Sequence, residues 1–577
     1  MTSSLPISVK EFAGFMSKIN LKHKERIGVA VSGGVDSMAL CYLLNQYCKK
    51  SKNQITAFII DHQLRKQSTK EAFQVSNMLS TLEINNKIMK IQWKDVSSMN
   101  PDIKINSFNS SFPTKSQYET FARIERYKLL AKGCHEDKIS SLFVGHHLND
   151  QLETLIMRFS RASGIDGLAS MSIIDKFSVI RNIEAIGLQI IRPLLSVTKD
   201  RLRETCIVAN IPWVEDPSNQ STDHKRNVVR FSLDKFNKRY LIEGKKEYEP
   251  LSTEGLLRFM SHMEYHKNCV NSKVNEIIKH SRIEFDKNNG ICTLLLPNPI
   301  PSYHWILQKH LATRIISKII TFVKCSEQPP RLESVLRFYN HILSFSTLSH
   351  ETFRISSYPF SHNITSRYNN ITLNNVLLCH EKKTNRVSES FEDRLYEHWT
   401  FFRQPFTSKE ETKNIIIIQN GQVVLWDKRF FVGINFVSQE AKNEVLKEKQ
   451  QQIQDNNSIP LQSQYYIRKL CNKDIYDIIE MKPEVNQMLK LHSAYKDIFE
   501  KYKKNVPSIA RFSIPVVIEK SYLISSDSIL RESEKIVSIP TLGILLNPKC
   551  ISCWAKFRGN VLAGIDEGES EERSENL

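Results

Sequence analysis

The sequence contains no apolar run that approaches the roughly 18 residues a membrane-spanning helix needs. It also lacks the apolar core of a secretory signal, so we expect a protein that does not cross a bilayer. The 11 cysteines show no regular spacing, which favours a reducing compartment over a disulfide framework. Only Cys550 and Cys553 form a C-x-x-C pair, and we interpret it as structural because a lone pair cannot complete a four-ligand zinc site.

The composition is that of a large globular protein with an excess of positive charge. Its 577 residues predict about three to four domains. Hydrophobic and charged fractions of 41% and 25% are ordinary for a soluble chain. A net charge of +18 favours a polyanionic partner, most commonly nucleic acid, although basic proteins without such a partner are also frequent.

A strand, a glycine turn and a helix follow one another in residues 27–41, I-G-V-A-V-S-G-G-V-D-S-M-A-L-C. Paired glycines let backbone N–H groups approach an anion, and the start of the helix adds partial positive charge. The predicted phosphate-binding residues are Ser32, Gly33, Gly34, Val35, Asp36 and Ser37. The stretch lacks the lysine of a Walker A loop, and on its own it could also be an ordinary glycine-rich turn.

Alternating strand and helix patterns predict the fold around this loop. Residues 55–60 and 87–93 are strand-like, and residues 69–82 between them have a helical pattern. Such alternation is typical of an α/β fold with a doubly wound parallel sheet, whose ligands bind at the carboxyl ends of the strands. Because Asp61 and His62 follow the second strand, we expect them to face the same cleft as the glycine loop.

A second polar motif, G-H-H-L-N-D-Q-L-E-T, occupies residues 145–154 after the strand-like residues 141–144. Its candidate site residues are Gly145, His146, His147, Asp150 and Glu153. A carboxylate here could hold Mg²⁺ between triphosphate oxygens, since Mg²⁺ usually takes one or two protein carboxylates. Zinc fits less well, because adjacent histidines do not easily bind one ion. The purely structural alternative is that these residues cap a helix beside a hydrogen-bonded histidine pair.

Residues 118–132 have a helical period that places Arg123 and Tyr127 on one face. Arginines in such positions are commonly solvated or paired with glutamate, and a role in binding phosphate or RNA is the alternative. The run from 224 to 246 mixes basic residues with aromatic ones, which suits an RNA surface, although an amphipathic helix with a solvated basic face would look the same.

Six motifs together resemble one enzyme family. They are S-G-G-V-D-S at 32–37, D-H-x-L-R at 61–65, G-H-H-x-x-D-Q-x-E-T at 145–154, R-x-S-G-x-x-G-L-x-S-M at 161–171, R-P-L-L at 192–195 and W-V-E-D-P-S-N at 213–219. In this order they are similar to the tRNA(Ile)-lysidine synthases, which are N-type PP-loop ATP pyrophosphatases. The likeness covers about the first 230 residues, and shorter traces recur at 423–430, 514–517 and 539–544. Gln63 stands where the family usually has glycine, and residues 240–410 match poorly.

The resemblance implies a reaction. Enzymes of this family use ATP and L-lysine to convert the wobble cytidine of a tRNA(Ile) with a CAU anticodon to lysidine, through an adenylated base, with release of diphosphate and AMP. By similarity, Asp36 and Asp150 would orient the lysine amine and hold Mg²⁺, and His146 would stabilise phosphate charge. Arg123 and Arg192 would contact the activated base or the α-phosphate. The ATP site would comprise the loop of residues 32–37, Asp61, His62 and Gly145, and an R-N-x-x-R element would bind tRNA through Arg226, Asn227 and Arg230.

We predict four segments along the chain. A PP-loop domain spans 1–222, a mainly helical tRNA-binding region spans 223–407, a smaller α+β tRNA-binding domain spans 408–565, and an acidic disordered tail spans 566–577. The rivals are a PP-loop tRNA thiolase, an amide-forming ligase and a catalytically silent RNA-binding relative.

The sequence also allows a prediction of where the protein is located in the cell. The Lys- and Asn-rich composition and the basic N-terminal lead favour a mitochondrion, with a bacterial cytoplasm as the alternative. The lead could equally be the first helix of the domain. We also allow for a homodimer.

Overall fold

The computed structural model describes residues 5–19, 21, 24–63, 67–93, 115–169, 171–177, 183–215, 225–243, 246–326, 329–345, 370–381, 396–436, 462–480, 486–525, 528–547 and 550–559. These form two compact units, Met1–Ser272 and Lys273–Leu577. The finer boundaries predicted at 222, 407 and 565 stay predictions. The acidic tail, Leu64, Arg65 and residues 216–219 of the sixth motif lie outside the described residues.

The first unit is built on a six-stranded sheet with the order β3-β2-β1-β4-β6-β5. Its strands are β1 (Arg26–Val31), β2 (Gln54–Asp61), β3 (Asn85–Lys90), β4 (Ser141–Phe143), β5 (Ile174–Lys176) and β6 (Gln189–Ile191). All neighbours pair in parallel except β5, which runs antiparallel to β6. The doubly wound parallel sheet is therefore confirmed. The order turns back between β1 and β4, and ligands bind such sheets at that point.

Nine helices occur among the described residues of this unit or begin in it. They are α1 (Val9–Met16), α2 (Val35–Ser51), α3 (Ser68–Thr81), α4 (Lys115–Glu136), α5 (Leu148–Phe159), α6 (Ile165–Leu168), α7 (Lys199–Val208), α8 (Lys225–Glu243) and α9 (Thr253–His280). Phe12 and Met16 of α1 are fully buried in the core that β1 and α2 share. The N-terminal lead thus contributes the first helix of the domain.

The second unit combines three antiparallel sheets with helices. The strands are β7 (Ile283–Asp286), β8 (Ile291–Pro297), β9 (Asn370–Leu373), β10 (Val376–Glu381), β11 (Tyr396–Arg403), β12 (Ile416–Ile418), β13 (Val423–Trp426), β14 (Phe430–Phe436), β15 (Gln462–Lys469), β16 (Pro515–Ser525), β17 (Ser528–Ile539), β18 (Ile544–Leu545) and β19 (Cys550–Phe557). The sheet orders are β7-β8-β11-β10-β9, β12-β15-β16-β17-β18 and β13-β14-β19. The helices are α10 (Lys309–Lys324), α11 (Leu332–Phe345), α12 (Ser408–Lys413), α13 (Asn472–Glu480) and α14 (Asn486–Asn505).

The prediction of a mainly helical region at 223–407 is incomplete. This region contains helices α8 to α11, but it also supplies all five strands of the first of these sheets. Fully buried residues such as Leu294, Trp399 and Phe401 lie on these strands and make their apolar runs nearly continuous. A short continuous apolar run has no period that separates a strand from a helix.

Among the described helices, none has both the length and the apolar character to span a membrane.

Candidate active site

The glycine turn between β1 and α2 has the geometry of an anion cradle. Gly33 has a φ of +84°, and a Cβ there would lie 2.4 Å from Val75 Cγ2, so a side chain fits neither the backbone nor the space. Gly34 begins α2 without a side-chain cap, and Ser37 Oγ donates to its carbonyl at 3.0 Å. The first N–H groups of α2 have no carbonyl partner within the helix, and such groups bind phosphate.

Gly145 brings the second motif against this turn. A Cβ on Gly145 would lie 3.1 Å from the carbonyl carbon and oxygen of Asp36, closer than most Cβ contacts, so glycine favours this approach. His147 then caps α5, and its backbone N–H donates to Asp150 Oδ2 at 3.1 Å in a capping box. The starts of α2 and α5 are therefore adjacent, as the two motifs predicted.

His147 lies between two carboxylates. Its Nδ1 accepts the N–H of Asn149 at 3.2 Å, so the proton of the neutral ring is on Nε2. That Nε2 is 3.6 Å from Asp36 Oδ1 and 3.5 Å from Asp150 Oδ2. These distances are longer than hydrogen bonds, and among the described residues none hydrogen-bonds to the buried Asp36 Oδ1. Asp36 Oδ1 is thus a buried carboxylate oxygen whose nearest described donor is the N–H of His147, just beyond hydrogen-bond distance.

Asp36 is held in its ionised form. Burial alone would raise the pKa of this carboxyl group, but His147, Lys199 and Arg230 lower it, and the net shift is downward. The ammonium nitrogen of Lys199 is 3.7 Å from Asp36 Oδ2. Sequence reasoning missed Lys199, whose signal is a basic residue four positions after the R-P-L-L motif, at the start of α7.

Glu153 is a buried carboxylate, only 1% exposed, that receives two arginines from α8. Its Oε2 accepts Arg226 Nε at 2.8 Å and its Oε1 accepts Arg230 Nε at 2.6 Å. Arg226 also places a terminal nitrogen 3.5 Å from Asp150 Oδ1. Asn227 between them is buried. The residues predicted to bind tRNA therefore connect α8 to α5, and Arg226 keeps 42% of its side chain exposed.

The remaining predicted arginines belong to a cationic cluster. Arg123 is exposed, and its guanidinium lies 5.0 Å from the ring centre of the buried Tyr127. Arg192 is buried, donates to Ser172 O at 3.0 Å and has a pKa lowered by burial. The positive charges of both arginines help to lower the pKa of His146.

The motif that follows β2 is organised by local hydrogen bonds. Asp61 is buried and accepts the N–H of Gln63 at 3.0 Å and the hydroxyl of Thr69 at 2.7 Å. Gln63 has a φ of +50°, which explains why the family usually has glycine there. His62 is the better ligand candidate of the pair. Burial and then Arg126 lower its pKa, and no described residue hydrogen-bonds to its buried Nδ1.

His146 predicts a pH dependence of stability. Burial lowers its pKa to about 4, Asp150 opposes the shift and nearby arginines add to it. The unfolded chain, with a histidine pKa near 6.5, binds the proton first as the pH falls. As the pH falls from 7 to 5, the free energy of unfolding should therefore decrease by roughly 2 kcal/mol. His146→Gln should abolish this decrease. Chemical denaturation across this range measures it, and an unchanged slope in the variant would refute the assignment.

Comparison with known proteins agrees with this geometry. A model of the PP-loop domain matches residues 5–235. A protein named "Probable tRNA(Ile)-lysidine synthase" from Schizosaccharomyces pombe is 27% identical over 566 residues, 96% of this chain and 99% of the relative. A "tRNA(Ile)-lysidine synthase" from Wolbachia pipientis is 28% identical over 322 residues, 56% of this chain and 65% of that relative. The chain thus spans less than two thirds of the bacterial relative.

Among solved structures, a U34-tRNA thiolase from Methanococcus maripaludis is 21% identical. The match covers 44% of this chain and 80% of the thiolase, with a TM-score of 0.33. That score is too low to support a structural argument.

Proposed function

We propose that this chain is an ATP-dependent tRNA-modifying ligase. It carries a PP-loop domain and is homologous to the tRNA(Ile)-lysidine synthases. It would attach L-lysine to C2 of the wobble cytidine, position 34, of a tRNA(Ile) with a CAU anticodon. The observation that carries the proposal is the meeting of Asp36 and Asp150 at His147 Nε2, directly beside the glycine turn. The site therefore combines a phosphate cradle with acidic groups suited to an amine.

The first step adenylates the base. The C2 carbonyl oxygen of cytidine attacks the α-phosphate of ATP, and the bond to the β-phosphate breaks as diphosphate leaves. The N–H groups at the start of α2 would bind the departing diphosphate. Charge that develops at the α-phosphate would be offset by Arg123 and Arg192, while His146, uncharged near pH 7, would donate a hydrogen bond.

The second step needs a deprotonated amine. The lysine ε-amine has a reference pKa near 10.4, so it arrives as an ammonium ion. Asp36, ionised because His147 and Lys199 outweigh its burial, would orient that ammonium together with Asp150. A carboxylate at the amine accepts its proton, and the free amine then displaces AMP from C2.

The acidic residues suit Mg²⁺ only in combination with a nucleotide. No group of three or more His, Cys, Asp or Glu side chains that could hold a metal ion occurs among the described residues. Asp36, with its buried unbonded oxygen, and Asp150 would each supply one carboxylate, and triphosphate oxygens and water would complete the shell. A bound Mg²⁺ supplies positive charge that offsets the leaving diphosphate.

Incorporation of lysine into RNA tests the proposal. Purified protein would be incubated with labelled L-lysine, ATP, Mg²⁺ and unmodified tRNA(Ile), and RNA-bound label and AMP would be measured. We expect both products in equal amounts. AMP without RNA-bound lysine, in the presence of a sulfur donor, would favour a thiolase. Against that rival, four of the five cysteines of the first unit, Cys41, Cys48, Cys134 and Cys206, are buried, and Cys269 on α9 is exposed.

Arg226 and Arg230 should differ in their effect on tRNA binding. Arg226 is 42% exposed and Arg230 only 24%, although both hydrogen-bond to Glu153. Arg226→Gln should therefore weaken tRNA binding and reduce the salt slope of log K by roughly one, whereas Arg230→Gln should leave the slope unchanged. Filter binding from low to high salt measures both. Equal slopes in wild type and Arg226→Gln would exclude a phosphate contact at Arg226.

A mitochondrial location and a homodimer are further proposals. The first rests on the Lys- and Asn-rich composition. Imaging a tagged full-length chain in its host tests it, and sedimentation of the purified protein tests the second.

A further inference from the structure

Lys199 is the first residue of α7, and its ammonium nitrogen lies 3.7 Å from Asp36 Oδ2. We propose that Lys199 binds the diphosphate portion of the nucleotide and supplies the cation that the glycine turn lacks. The inference rests on the proposed function in one respect, since it requires a triphosphate on residues 32–37. It adds a binding residue that none of the sequence motifs assigns.

The position of Lys199 is unfavourable for the helix that carries it. A helix start has partial positive charge, so a lysine in the first turn is repelled by its own helix. Asp200 follows it, but Lys199 itself is directed to Asp36 rather than to that neighbour. A positive charge at a helix start is expected where a bound anion offsets its repulsion from the helix dipole.

The base of the Lys199 side chain is fixed relative to the glycine turn. Its backbone N–H donates to Asn149 Oδ1 at 3.3 Å, which ties the start of α7 to the start of α5. Farther along α7, Cys206 Sγ donates to Val35 O at 3.7 Å, and Leu202 is fully buried in the core shared with α2. The three helix starts are thus connected, and only the flexible end of Lys199 needs to move.

The ammonium group is available for an exchange of partners. Its distance of 3.7 Å to Asp36 is an ion pair without a hydrogen bond, and 34% of its side chain is exposed. Asp36 lies within the phosphate loop, where its negative charge would repel a diphosphate. A cation that can contact both the carboxylate and a phosphate oxygen removes this repulsion. Lysine suits this task because its ammonium is a compact charge on a flexible stem.

Direct binding of inorganic diphosphate and of ATP to the full-length protein tests the inference without turnover. We expect Lys199→Met to weaken both by about 10- to 100-fold, the usual loss for a hydrogen bond to a charged group. Lys199→Arg should lose less affinity than Lys199→Met, because it keeps the charge. The matched control is Arg203→Met on the same helix, whose guanidinium lies 3.7 Å from Glu215 at the surface. It should bind diphosphate like wild type, and all three variants should bind tRNA normally.

Three results would overturn the inference. They are wild-type diphosphate affinity in Lys199→Met, an equal loss in Arg203→Met, or a loss of tRNA binding in place of diphosphate binding. Thermal melting identifies a folding defect in Lys199→Met, and Lys199→Gln, which keeps a polar side chain without charge, then takes its place. Wild-type protein that binds diphosphate through Lys199 but forms no lysidine would refute the proposed function and leave this inference standing.

Discussion

Asp36→Asn is expected to lower lysidine formation by about 10²- to 10⁴-fold while tRNA affinity stays within twofold. The substitution keeps the size of the side chain and removes its charge. An amide offers no negative charge to Lys199, 3.7 Å away, and cannot accept the proton of an incoming ammonium. Single-turnover transfer of labelled lysine measures the chemical step, and filter binding measures tRNA affinity.

A matched control separates this effect from a general loss of charge. Asp137 directly follows α4 and forms an ion pair with Lys87 of β3, so Asp137→Asn removes a carboxylate from the same unit. It should retain nearly full activity, since partly exposed pairs contribute little. If Asp36→Asn keeps activity within tenfold of this control, then Asp36 does not take part in the chemistry.

The sheet and the glycine turn could be predicted because their signals are local. The strand was expected from residue 27 and is observed as Arg26–Val31, and the helix predicted at 69–82 is observed as Ser68–Thr81. Alternating apolar runs and two adjacent glycines fix these elements within a few residues of sequence. The β4–α5 motif was predicted on the same basis, although the residue that caps its helix, His147, was not predicted.

Long-range partnerships could not be predicted. Glu153 and Arg230 are 77 positions apart, and nothing in the composition of the basic run near residue 230 indicates that its arginines face a buried carboxylate. The aromatic residues of that run also divide in a way the sequence does not show. Phe231 is 45% exposed, whereas Phe236 packs against Tyr248 at 5.6 Å. Composition predicts a basic helix, and only packing decides which of its faces is free.

Glu153→Gln is expected to lower the unfolding free energy of the first unit by about 3 kcal/mol. The loss is large because the carboxylate is 1% exposed and both Arg226 and Arg230 hydrogen-bond to it. A neutral amide leaves the two positively charged guanidiniums close together without a negative charge between them. Arg226 is partly exposed and can turn to solvent, which keeps the loss at the low end for a buried pair. Chemical denaturation of the full-length protein measures it.

The control for this prediction lies on α8, the helix that carries Arg226 and Arg230. Glu243 accepts Arg239 Nε at 2.6 Å, four positions apart, where the arginine is 62% exposed. Glu243→Gln should cost at most about 0.5 kcal/mol, the usual value for an exposed helical pair. If Glu153→Gln costs no more than that, the two arginines do not hold α8 against α5. In that case tRNA binding alone would account for the presence of Arg226 beside Asp150. If Glu153→Gln instead loses much of its unfolding free energy but keeps a normal salt slope for tRNA binding, the contact between Glu153 and the two arginines is what fixes α8 beside α5.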